Sequence, residues 1–224
     1  MPIISAIIPA HNEAERIETT LLTLKSLNCV DEIIVVDDGS DDETGEIASR
    51  HADEVVRLSR NSGKGVALAT GVRKSRGDIL LFLDADLGDY AKWCHQLLQP
   101  VIEGKVDMTI ARFPAPLRKG GFGLVKGLAR WSVRQLTGHT LESTLSGQRA
   151  MKREVADGLI YIPSGFGIEL GLTVHALRSG FTVKEIPLPM SHRETGRDWA
   201  GFLHRGKQFT EILQTLIRLW RRLA

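Results

Sequence analysis

Hydrophobic residues in this chain fall in short unbroken runs, and the stretches between them carry helical spacing. The runs Ile3–Pro9, Glu32–Asp37, Val55–Leu58 and Ile79–Leu83 are short and mostly β-branched or leucine-rich, so they predict strands. Their hydrophobicity is continuous rather than alternating, which marks strands covered on both faces, as in a parallel sheet. Between them, Glu13–Leu27 sets Ile17, Leu21 and Leu24 on one helical face. Ser40 or Asp41 is placed to cap a helix running to about His51, with Asp42 and Glu43 in the first turn, where the helix dipole favours acids. Gly63–Ser75 forms a third helix with Ala67, Leu68 and Val72 inward. Strands alternating with helices over short connections predict an α/β fold, a doubly wound and mostly parallel sheet flanked by helices.

The rhythm changes after Asp86. A helix over Asp89–Glu103, a strand over Val106–Ala111 and a basic, Pro/Gly-rich loop over Phe113–Gly123 come next. A helix at Leu124–Leu136, a short strand at Ser146–Met151, a helix at Phe166–Ser179 and a strand at Phe181–Pro187 complete the body. From Trp199 an amphipathic helix carries Phe209, Ile212, Leu213, Leu216, Leu219 and Trp220 as one stripe, with Arg218, Arg221 and Arg222 beside it. Such a stripe packs on its own domain or on a second copy in a homodimer. Alternatively it lies in a membrane interface, where Lys119, Lys126, Arg130 and Arg134 would extend the basic surface. No repeat or low-complexity linker divides the chain, and a single domain over residues 1–224 is expected.

Composition narrows the function classes. With 42% hydrophobic and 25% charged residues the chain has an ordinary globular balance. A net charge of +2 argues against a nucleic-acid binder. Cys29 and Cys94 form no CxxC pair and read as buried thiols of a reducing compartment. No apolar run approaches the roughly 20 residues of a membrane span, and Ile3–Ala10 lacks a basic leader or cleavage site. The expectation is a cytoplasmic protein, at most peripheral at the membrane.

The candidate chemistry collects at predicted strand ends. Ile79–Leu83 runs directly into Asp84-Ala85-Asp86, two carboxylates one residue apart at the edge where open α/β sheets bind ligands. Close like charges repel, so this pair calls for a positive partner, and a divalent cation carrying a diphosphate supplies one. Four further clusters follow strands or open helices: Pro9-Ala10-His11-Asn12-Glu13, Asp37-Asp38-Gly39-Ser40, Gly63-Lys64-Gly65 and Ser191-His192-Arg193. Each alone is ordinary. Asp-Gly-Ser is commonly a turn, and Gly-Lys-Gly is no Walker loop, because GxxxxGK[ST] is absent. Independent turns would not all fall on one sheet edge.

As an ordered set, the four clusters of the first half resemble the nucleotide-sugar glycosyltransferases of family 2, which have the GT-A fold. That resemblance implies a nucleotide-sugar-binding half over residues 1–111 and an acceptor-binding half over 112–224. It implies that Pro9, Ala10, Glu13 and Asp38 contact the nucleoside, with His11, Gly39 and Ala85 in the same donor-binding motifs. Lys64 would lie near the base, Asp84 would meet the ribose, and Asp86 would ligate Mn²⁺ or Mg²⁺.

The second half, through Gly165-Phe166-Gly167-Ile168-Glu169 and Ser191-His192-Arg193, is similar to the glucosyl-3-phosphoglycerate synthases and their mannosyl relatives. By that similarity Glu169 would hold sugar hydroxyls, His192 would be a second metal ligand, and Arg193, with Arg197, would stabilise the leaving diphosphate. Asp86, Glu169 and Arg193 are thus the expected catalytic residues. The implied reaction moves a hexose from a UDP-sugar, or a GDP-sugar, to a small phosphorylated, phosphoglycerate-like acceptor. Departures exist: Gly120–Gly123 lacks an Arg-x-Thr pattern, and Leu145-Ser146-Gly147-Gln148-Arg149-Ala150 resembles polyprenyl-phosphate sugar transferases, which implies a lipid-linked acceptor instead. A sugar nucleotidyltransferase and a nucleotide-sugar-binding regulator without turnover are the competing classes.

Overall fold

A computed structural model describes residues 1–114, 124–157 and 167–189. Seven strands form one sheet: β1 (Ile4–Ala10), β2 (Glu32–Asp37), β3 (Glu54–Arg57), β4 (Ile79–Phe82), β5 (Met108–Arg112), β6 (Arg149–Lys152) and β7 (Val183–Pro187). Their spatial order is β3-β2-β1-β4-β6-β5-β7, parallel throughout except for β6, which runs antiparallel to β4 and β5. The helices are α1 (Ile17–Ser26), α2 (Thr44–Ser49), α3 (Lys64–Lys74), α4 (His95–Ile102), α5 (Leu124–Thr137), α6 (Arg153–Ala156) and α7 (Ile168–Arg178). This is the mostly parallel, helix-flanked sheet that the alternation of blocks predicts.

Continuous apolar strands are needed because both faces are covered. Ala6, Ile8, Val35 and Leu81 pack with Ile17, Leu21 and Leu24 of α1 on one side. Their neighbours Ile7, Leu80 and Phe82 pack with Leu68 of α3 on the other, beside Met108, Leu170 and Val174. The chain leaves β1 through α1 towards β2 and β3, then returns through α3 to β4 on the far side of β1. The topological switch point therefore lies between β1 and β4, where ligands of such sheets bind.

Three local expectations are corrected. The helix expected from Asp89 begins as a 3₁₀ stretch, Gly88–Cys94, before α4, because Gly88 adopts φ +54 and Tyr90 N–H already bonds to Leu87 O, three residues back. Ser40 and Asp41 do not cap α2. The Ser40 hydroxyl accepts from Asn12 N–H, and the Asp42 carboxylate takes Thr44 N–H instead. The strand expected from Ser146 starts at Arg149, since residues 146–148 turn into the site described below.

The outer strands are held by Asp107, whose carboxylate accepts from Lys152 Nζ at 2.7 Å and from Thr182 N–H at 2.8 Å. The Lys152 hydrogen bond, followed by those of Thr182, lowers the Asp107 pKa from 3.8 to about 2. A depressed carboxylate adds stability above its unfolded pKa and loses it as the pH falls through the folded one. Allowing for partial exposure, Asp107→Asn should cost about 1–2 kcal/mol at neutral pH. Urea midpoints should show this deficit shrinking between pH 4 and pH 2, and a deficit independent of pH would contradict the assignment.

Candidate active site

The site forms at the carboxyl ends of β1, β2 and β4. The loops leaving β1 and β2 are laced together by hydrogen bonds between side chain and backbone. Asn12, in the left-handed region at φ 55, sends its side-chain oxygen to Asp41 N–H at 2.9 Å. Glu13 N–H donates to Thr44 Oγ1 at 2.8 Å, and Ala14 N–H to Asp42 at 3.2 Å. The lacing shapes a cleft of about 370 Å³ lined by Asn12, Glu13, Ala14, Glu15, Arg16, Asp42 and Asp86. The Nδ1 atom of His11, in the same loop, is buried with no hydrogen-bond partner among the described residues. An orphaned buried nitrogen costs free energy that a bound polar group would recover.

Asp38 is buried, and its two carboxylate oxygens accept from Ser62 N–H and Gly63 N–H, each at 2.7 Å. Gly39 sits at φ +67, where a Cβ would lie 2.5 Å from the Arg60 carbonyl carbon, so no side chain fits. This turn sets the loop that opens α3, and so it sets where Lys64 points.

Lys64 belongs to a closed polar ring. Its ammonium contacts Asp84 Oδ1 at 2.6 Å and Glu169 Oε1 at 3.0 Å. The other Asp84 oxygen accepts from Gln148 Nε2 at 2.5 Å. Arg149, fully buried at the start of β6, donates to Ser146 O at 2.7 Å, Thr144 O at 2.8 Å and Thr173 Oγ1 at 2.9 Å. The Thr173 hydroxyl in turn donates to the backbone carbonyl of Glu169 at 2.8 Å, one turn back on α7. Burial pulls the Lys64 pKa down, but the charges of Asp84 and Glu169 more than reverse it, leaving it above the ordinary lysine value. Arg149 is lowered to about 10 by burial, with Glu169 opposing, and it stays charged at neutral pH. Gly147 closes the ring: a Cβ there would lie 2.5 Å from Lys64 Nζ and 2.9 Å from Asp84 Oδ1.

Asp86 faces the cleft instead. Its carboxylate is 37% exposed and meets Arg16 at 3.8 Å. Glu13 has a raised pKa, first through burial and then through the charge of Asp86. The two carboxylates of Asp84-Ala85-Asp86 are thus divided, one held by Lys64 and the other, loosely paired with Arg16, facing the cleft. Exposed oxygen donors of this kind suit Mg²⁺ or Mn²⁺. Among the described residues no group of three or more His, Cys, Asp or Glu could hold a metal ion, so Asp86 would supply only part of a coordination shell.

Of the residues singled out from sequence, His11, Glu13, Asp38, Gly39, Lys64, Asp84, Asp86 and Glu169 fall on this edge. Pro9 and Ala10 are the last residues of β1, and Ala85 offers its carbonyl to the Thr20 hydroxyl at 2.8 Å. His192, Arg193, Arg197, the Gly120–Gly123 loop and the helix from Trp199 lie outside the described residues. Sequence reasoning missed Arg16, Asp42, Gly147, Gln148 and Arg149 as site residues. The signal for the last three was the Ser-Gly-Gln-Arg run directly before an apolar strand, once that strand is seen to lie beside β4.

Comparison with known proteins places this arrangement. The family model described as glycosyl transferase family 2 matches residues 5–158. Glycosyltransferase AglD of Haloferax volcanii is 32% identical over 83% of this chain, and the match spans 32% of its own length. Dolichol-phosphate mannosyltransferase of Pyrococcus furiosus is 28% identical over 96% of this chain and 63% of its own. The crystal structure of glucosyl-3-phosphoglycerate synthase from Mycobacterium tuberculosis in complex with Mn²⁺, UDP-glucose and phosphoglyceric acid superposes with a TM-score of 0.79. It shares 27% identity, over 97% of this chain and 79% of that one.

Proposed function

This chain belongs to glycosyl transferase family 2, and from that premise we propose that it transfers a hexose from a UDP-sugar to a small phosphorylated acceptor. The observation that carries the proposal is the division of labour at β4: Asp84 locked to Lys64, Asp86 open to the cleft beside Glu13. A donor lying over the β1–β4 switch point would meet Asp84 with its ribose and Asp86 through its diphosphate-bound cation, while His11 Nδ1 offers an unmet polar contact. When bound, Mn²⁺ or Mg²⁺ neutralises charge developing on the leaving diphosphate. Arg16, 3.8 Å from Asp86, places a positive charge beside that carboxylate at the cleft. Glu169, fixed by Lys64 and by α7, is oriented to accept hydrogen bonds from sugar hydroxyls. His192 and Arg193 are proposed to complete the metal and diphosphate contacts. GDP-sugars are the competing donors.

UDP-glucose, Mn²⁺ and phosphoglyceric acid in the Mycobacterium structure support this choice of donor, cation and acceptor. A lipid-phosphate acceptor is the second reading, favoured by the Ser146-Gly147-Gln148-Arg149 segment and by the mannosyltransferase relative. Among the described residues no helix is long and apolar enough to cross a membrane. Under that reading the stripe from Phe209 to Trp220 would bring the enzyme to the surface as a peripheral protein. Under the first reading we propose a single domain over residues 1–224, with that stripe serving contacts within it or between two copies.

Calorimetric titration with UDP and with GDP, each with Mn²⁺ and then with EDTA, tests the donor site. Metal-dependent binding of UDP over GDP is expected, and binding of neither would overturn the reading. Transfer from UDP-glucose to 3-phosphoglycerate, compared with transfer to polyprenyl phosphate in vesicles, separates the acceptors. Gly147→Ala offers a sharper check. The new methyl would lie 2.5 Å from Lys64 Nζ and 2.9 Å from Asp84 Oδ1, so both members of the pair must shift, and nucleotide affinity should drop about tenfold, or 1.4 kcal/mol. Unchanged affinity would show that the Lys64–Asp84 pair does not shape the donor site.

A further inference from the structure

Cys29 and Cys94 are 65 residues apart in sequence, yet their Sγ atoms lie 3.8 Å apart, in contact and unbonded. Cys29 is partly exposed, in the turn after α1, whereas Cys94 is fully buried at the end of the 3₁₀ stretch. These two segments are already joined at the site. The Thr20 hydroxyl of α1 donates to Ala85 O and accepts from Gly88 N–H at 2.7 Å. The near ends of the same segments carry Arg16 and Asp86, and their far ends carry the two thiols.

We propose that Cys29 and Cys94 form a reversible oxidation site that reacts with low-molecular-weight disulfides and staples α1 to the segment bearing Asp86. The solvent-reachable Cys29 thiolate attacks the small disulfide, giving a mixed disulfide and releasing one small thiol. Cys94 then attacks Cys29 Sγ and its proton passes to the departing small thiolate, forming the protein disulfide and expelling the second small thiol. Two protein thiols are oxidised as one small disulfide is reduced to two thiols. Closing the gap to a bond of roughly 2 Å needs only a short side-chain approach, because the sulfurs already touch. The hydrogen bond from Cys94 lowers the Cys29 pKa and so favours it as the attacking thiolate, while the same hydrogen bond, and then burial, raise that of Cys94.

Treatment of the whole chain with oxidised glutathione, followed by intact mass and peptide mapping, tests the site. The expected product is a monomer lighter by two hydrogens (about 2 Da), with a Cys29–Cys94 cross-linked peptide and no lasting glutathione adduct. Because the closed loop is long and the bond fits the native arrangement, the thermal midpoint should rise by several degrees and return on reduction. Cys94→Ser should stop at a single glutathione adduct on Cys29. A wild-type protein that accumulates that adduct, that links into dimers, or that forms the bond with a lowered midpoint would overturn the proposal.

Discussion

Asp86→Asn is expected to abolish metal-dependent nucleotide binding and to lower sugar transfer by about 10³-fold, the order of effect seen when a charge-stabilising group is removed from a polar site. The fold should survive. Asp86 is over a third exposed, and its contact with Arg16 is a loose 3.8 Å, so the variant's thermal midpoint should stay close to that of the wild type. The amide keeps the shape and one oxygen but removes the charge, which separates electrostatic ligation from simple contact. A second consequence is specific to this geometry. The charge of Asp86 helps to hold the Glu13 carboxyl above its ordinary pKa, so Asp86→Asn should move the Glu13 titration downward. Carbon-13 spectroscopy of the Glu13 carboxyl would read that shift directly. Metal-dependent UDP binding that persists in Asp86→Asn would remove Asp86 from the metal assignment while leaving family membership untouched.

Much of the donor half was legible because its chemistry follows hydrophobic runs in sequence. Ile79–Leu83 ending in Asp84-Ala85-Asp86, and Glu32–Val36 ending in Asp37-Asp38, both announce a buried strand delivering acids to one edge. What sequence could not reveal is which of these acids are free. Asp38, like Asp86, follows an apolar run and another aspartate, yet its carboxylate holds Ser62 and Gly63 and shapes a loop. Asp84 and Asp86 are one residue apart, yet one is balanced by Lys64 and the other faces a cleft. Pairing through space, at sequence separations from 20 to 64 residues for the contacts of Asp84, decides the difference. The 3₁₀ start of the expected Asp89 helix was hidden for a related reason. Its spacing suits either helix type, and its first residue is held by a distant helix, with Gly88 N–H donating to the Thr20 hydroxyl. The short segment before β6 looked like an ordinary strand, because nothing local shows that β6 runs antiparallel beside β4 and so brings Gln148 to Asp84.

Arg149 is the residue whose loss should cost the fold most. Its guanidinium is fully buried, charged at neutral pH, and donates to two backbone carbonyls and one hydroxyl. Methionine matches its volume but satisfies none of those acceptors. Arg149→Met should therefore lose about 3–5 kcal/mol, well beyond a simple core substitution. For a chain of this size that is roughly a 10 °C fall in thermal midpoint. Replacement of buried ionic groups by apolar ones is sometimes neutral, but only where both partners are replaced together; here the carbonyls of Thr144 and Ser146 remain. Arg149→Lys keeps a charge that can reach some of the three acceptors and should fall between the two. The damage should also reach the site. Ser146 and Thr144 are anchored by Arg149, and the turn they form carries Gly147 and Gln148 onto the Lys64–Asp84 pair. At temperatures where Arg149→Met is still folded, its nucleotide affinity should be reduced along with its stability, whereas Asp107→Asn, whose carboxylate binds Lys152 and Thr182 and no residue of the cleft, should lose stability alone. An Arg149→Met protein within 1 kcal/mol of the wild type in urea titration would mean that the turn from Thr144 to Gln148 holds itself, and that the ring around Lys64 does not depend on the buried cation.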